Sequence, residues 1–262
     1  MLHRQDGISG GAVSGRELSR IIVFATFVLA VASSGARPAP ARDSKSSYPS
    51  MAPVGQYLMD REAEIAMART AAPDSISHDA KVLVLGPQGY ETAVEGKNGF
   101  VCVVERAWMD PFDSPEFWNP KKRGPVCFNP PAARTVLPIT YMRTKLVVAG
   151  KSKDEVKESI RTAFEKKELP ALEVGAMCYM MSRDAYLTDA GGHNMAHLMF
   201  YTPLIDGAAW GANVVDSSNQ VSVPFRGSPL LLSPQFKGNP EPINVFFMGT
   251  GMWSDGTPAP LM

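Results

Sequence analysis

The sequence has no excess of charge: 26 Lys and Arg stand against 26 Asp and Glu in 262 residues. A domain that grips a phosphate backbone carries a clear basic surplus, so nucleic acid is set aside as a partner. A spanning helix needs roughly 20 apolar residues. The run Ile21 to Ala32 stops well short of that, and no later stretch is long enough. Cysteine is scarce, with three residues, none in a Cys-x-x-Cys pair, which argues against dithiol redox catalysis. Beyond residue 36 there is no G-x-S-x-G elbow, and the chain has no phosphate-binding G-x-x-x-x-G-K and no G-x-G-x-x-G after a strand. These absences leave no recognisable nucleophile with its base.

What is present begins with a leader. Arg16 and Arg20 precede the apolar run 21–32, and Ser33-Ser34-Gly35-Ala36 follow it. That order of charged, apolar and small residues reads as a secretory signal peptide over 1–36, cut between Ala32 and Ala36. Removing it leaves 23 basic and 24 acidic residues. The expected destination is the periplasm or the outside of the cell, with no membrane span in the mature chain. Residues 37–56 are rich in Pro, Ser and Ala and read as a flexible linker. The remainder, 57–262, is long enough for one domain with a sizeable core.

Periodicity sets the fold class. Met59, Ala63, Ala66, Met67 and Thr70 make a helical stripe within 57–71. A β-meander is expected over 82–105, turning at Gly96-Lys97-Asn98-Gly99. Residues 108–129 read as one long loop rich in Pro and aromatics. Asn129-Pro130 opens a helix, and Ser152 with Glu155 forms a capping box that opens another, so 132–167 reads as an αα-hairpin. Strands return at 177–182, 197–202 and 243–248, with surface loop over 204–242. The class is α+β: an antiparallel or mixed sheet carrying the hairpin and an N-terminal helix, in a single domain.

Three sets of residues carry candidate chemistry. Trp108, Phe112, Phe117 and Trp118, beside Glu105 and Arg106, form an aromatic cluster with charges at its edge, the composition of a ligand site. His193 and His197 have the spacing of paired zinc ligands on a helix, with Asp189 as a third donor. The context there is turn then strand, and four strand residues span about 13 Å, too far for one ion unless the backbone bends. The acid of H-E-x-x-H is also missing, since Asn194 follows His193. Cys102 and Cys127 flank the long loop and are expected to pair in an oxidising compartment, leaving Cys178 free.

Val84-Leu85-Gly86, Gly89-Tyr90-Glu91, Asn98-Gly99-Phe100 before Cys102, Cys127-Phe128 and His197 to Tyr201 together resemble a group of exported bacterial proteins with no assigned activity. The likeness runs over most of 60–256. It implies bacterial export and one compact domain, and it carries no functional residue across. The expectation is thus an exported, non-catalytic binding or interaction module, its alternative a metal-assisted hydrolase with zinc at His193 and His197. The sequence says nothing of oligomeric state or protein partners.

Overall fold

Asp60 opens the first helix. Its carboxylate accepts a hydrogen bond from the Ala63 amide at 3.0 Å, and α1 runs Arg61–Arg69. The buried face of α1 differs from the stripe expected at 63 and 66: Glu64 and Ala68 turn inward, while Ala63 and Ala66 are exposed. Glu64 can be buried because Arg106 Nη2 lies 2.9 Å from its Oε1. The structure is a computed structural model and describes residues 48–189, 195–215, 221–233 and 239–260. The leader 1–36 and His193 lie outside the described residues.

The strands are β1 Lys81–Gly86, β2 Gly89–Val94, β3 Val101–Glu105, β4 Gly124–Phe128, β5 Met177–Met180, β6 His197–Pro203, β7 Asn213–Val215, β8 Val221–Ser222, β9 Leu230–Ser233 and β10 Ile243–Gly249. They form one mixed sheet in the order β2-β1-β3-β4-β5-β6-β10-β9-β7-β8. The pairs β1/β3 and β7/β9 are parallel and the rest antiparallel. The expected meander is therefore not formed: β3 lies on the far side of β1 from β2. Gly96 explains the crossing. A Cβ there would sit 2.1 Å from the Lys81 backbone nitrogen, so only glycine lets the chain pass over the start of β1. Lys97 N then donates to Asp79 O at 2.8 Å, and the Asn98 side chain to Ile76 O at 2.7 Å. Asn98-Gly99 is thus part of a crossover, not of a hairpin.

The long loop is also shorter than expected, because its last residues form β4, a fully buried central strand. Pro125 disguises it. β4 pairs with β5 only at Cys127 and Phe128, so at Pro125 the strand is paired on one side and a missing N–H is tolerated. Cys102 and Cys127 face each other in register across β3 and β4 and form a disulfide, their Cα atoms 4.0 Å apart.

Helices cover both faces. On one, Ala68 of α1 packs with Val82, Cys102, Val104 and Cys127, and Ile76 of the short α2 (Asp74–Ser77) packs against the same cluster. On the other, α3 (Pro130–Thr135) and α4 (Leu137–Val148) set Ala132, Val136 and Leu137 against Leu83, Val103, Val126 and Phe128. Asn129 caps α3, accepting from Ala132 N at 3.0 Å, and Pro138 stands in the first turn of α4. Ser152 caps α5 (Lys153–Glu165), whose Glu155 returns a bond to Ser152 N at 2.8 Å. Residues 48–56, assigned to the linker from composition, belong in part to the packed body: Tyr48, Met51 and Ala52 lie against the core.

Candidate functional site

The four rings expected to meet a ligand are core residues. Trp108, Phe112, Phe117 and Trp118 retain 0, 8, 1 and 7% of their exposure. Trp108 lies against Tyr57, ring centres 5.0 Å apart, and its indole N–H donates to Thr144 Oγ1 on α4 at 2.9 Å. Phe112 and Phe117 stack at 5.4 Å, and Trp118 meets Phe117 edge-on at 4.7 Å. Arg143 of α4 straps the loop: its guanidinium lies 4.3 Å from the Phe112 ring centre and donates to the carbonyls of Trp108 and Asp110 at 3.0 and 2.9 Å. Arg143 is itself paired with Glu241. Burying aromatic area in this way stabilises the loop more than any surface contact would.

The outer side of the same loop leaves a surface depression of about 330 Å³, lined by Tyr48, Pro49, Asp113, Ser114, Pro115, Phe117, Trp118 and Lys153. Two of the buried rings, Phe117 and Trp118, belong to its lining, and Lys153 Nζ sits 5.4 Å from the Phe117 ring centre. Asp113 and Lys153 bring opposite charges to the same lining. Tyr48 joins it to a polar network around Asp189. That carboxylate accepts from the hydroxyls of Tyr48, at 2.5 Å, and Tyr186, from Asn119 at 3.3 Å, and from Lys121 at 3.2 Å. These donors hold Asp189 well below the usual carboxylate range. Its backbone N–H donates to Glu116 at 3.1 Å. Tyr48 and Lys153 give no signal in the sequence, because their roles depend on which loops meet.

Other reactive side chains are engaged within the fold. Arg106 is fully buried and donates to Glu64, to Tyr57 O at 2.8 Å and to Val104 O. Glu105, partly exposed, accepts from Thr140 Oγ1 at 2.9 Å. Burial pushes its carboxyl up to about 7. Cys178 is buried with its Sγ 3.1 Å from the Tyr201 hydroxyl, and burial pushes the thiol up, away from the nucleophilic form. His197 is buried on β6, its Nδ1 2.7 Å from Met195 O, and burial lowers its pKa. Among the described residues no group of three or more His, Cys, Asp and Glu is placed to hold a metal ion, and no helix is long and apolar enough to cross a membrane. No protein-family model matches the chain, and neither does any curated protein or solved structure.

Proposed function

We propose that the chain is an exported binding module whose ligand seat is the depression over residues 113–118. The carrying observation is the composition of that depression, which brings aromatic residues together with Lys153 and Asp113 in one lining. Such a surface suits a small flat organic molecule bearing a charged group, its ring against Tyr48, Pro49 and what remains exposed of Trp118 and its charge beside Lys153 or Asp113. Support also comes from the state of the other candidates, since Glu105, Arg106, Cys178 and Asp189 each have partners within the fold. Export rests on the order of residues in the leader, with which a Cys102–Cys127 disulfide is compatible.

Ligand-observed NMR with a set of aromatic acids and amines tests the seat. Fragments should bind the native domain, and Lys153→Glu should weaken acids while sparing amines. Equal binding of every fragment to native and Lys153→Glu protein would place the site elsewhere.

A further inference from the structure

The lining of the depression is built unequally. Phe117 and Trp118 are fixed in the core, and Lys153 stands in the first turn of α5 behind its capping box. Tyr48 and Pro49 come from the N-terminal segment 48–56, none of whose residues is buried. Its regular structure is one short turn, Val54–Gln56. Among the described residues, Pro49, Ser50 and Met51 make no hydrogen bond. Both ends of the segment are tied to the loop that carries Phe117 and Trp118. At one end the Tyr48 hydroxyl donates to Asp189 Oδ2 at 2.5 Å. Asp189 in turn accepts from Asn119, a fully buried residue, at 3.3 Å, and its own N–H donates to Glu116 at 3.1 Å. At the other end the Tyr57 hydroxyl accepts from Ala52 N at 3.2 Å and donates to Trp118 O at 2.8 Å.

We propose that residues 48–52 form a strap over the seat, pivoting at Ala52 and latched by the Tyr48 hydroxyl on Asp189, and that this strap closes on a ligand and opens to release it. The closing role rests on the seat proposed above; the latch does not. A segment with few buried contacts and no hydrogen bonds along its middle opens at lower cost than the core it lies on. Tyr57, fully buried, keeps the pivot in place. Opening breaks the bond to Asp189 and parts Tyr48 and Met51, both half-buried, from the core. A hydrogen bond to a charged acceptor is about twice as strong as a neutral one, so the Tyr48 hydroxyl sets how long the strap stays shut. Asp189 does not line the depression. It is a positioning residue, which aims Tyr48 at the seat.

Nitrogen-15 relaxation of the mature domain tests the latch without any ligand. In the native protein the amides of Ser50 and Met51 should have order parameters close to those of the neighbouring fold. In Tyr48→Phe, which removes the hydroxyl alone, they should fall below about 0.6. Tyr186→Phe takes a different donor from the same carboxylate and should leave them unchanged. Equal order in the native protein and Tyr48→Phe, or an equal fall in Tyr186→Phe, would overturn the latch. The closing role is read from the NMR line shape of an aromatic-acid fragment, whose dissociation should be about tenfold faster from Tyr48→Phe than from the native domain. Unchanged dissociation beside a loosened strap would overturn that role. A fragment set that binds neither protein counts against the seat, whereas the latch stands or falls on the order parameters.

Discussion

Arg106 and Glu64 are 0 and 1% exposed, and they show how a single buried pair governs the residues around it. The Leu85 amide donates to the same Glu64 oxygen at 3.1 Å, and Arg106 fills the carbonyls of Tyr57 and Val104. Removing one partner leaves an uncompensated charge in the core. Arg106→Met is expected to cost about 3–5 kcal/mol in urea denaturation, whereas Glu64→Met with Arg106→Met should recover most of that loss. A similar logic applies to His197. Its ring lies in the interior 5.7 Å from that of Phe247, so His197→Ala should cost about 1–3 kcal/mol whether or not the chain handles a metal. At this scale the sequence was legible where a residue has one common use. Cys102 and Cys127 paired as their loop-flanking positions imply, and Cys178 stayed free. It was illegible where a residue inverts its usual habit, as a buried glutamate does.

The inverted glutamate also misled the reading of an element. With Glu64 counted as surface, the apolar stripe of α1 falls on Ala63 and Ala66, about 150° around the helix from the face that is buried. Elements with local chemistry of their own were easier. Ser152 and Glu155 cap α5 as the motif implies, and Ser152→Ala should cost about 1 kcal/mol and fray the first turn, visible in amide exchange of 153–156. Strands whose place depends on distant partners were not legible. β4 carries a proline, β7 to β9 are two to four residues long, and β3 runs parallel to β1 through a crossover resembling a hairpin turn. Gly96 is the position on which that crossover depends. Gly96→Ala forces a methyl against the backbone of Ala80 and Lys81, and a loss of several kcal/mol is expected. Lys97→Ala, next to it, should cost little.

The described residues build one mixed sheet of ten strands. Helices cover its β1-to-β5 half, and a disulfide joins two central strands. Closing a loop of this length stabilises a chain by roughly 3–3.5 kcal/mol in the entropic account, so Cys102→Ala with Cys127→Ala should lower the denaturation midpoint accordingly. In the native host, mass spectrometry should find a mature N-terminus between Ser33 and Arg37; an intact Met1 in the cytoplasm would contradict export. The class of fold followed from the order of periodic segments. The proposed seat did not, because the aromatics that suggested a site are spent on the core, and loop packing decides what surface is left beside them. The most direct test of the central claim is a nitrogen-15 chemical-shift map of the mature domain during titration with the tightest fragment from the aromatic set. Shifts gathered on residues 48, 113–118 and 153, and abolished by Lys153→Glu for an acid, are the predicted result. Shifts centred on 189–197 that disappear with His193→Ala, accompanied by stoichiometric zinc and turnover of the ligand, would contradict it.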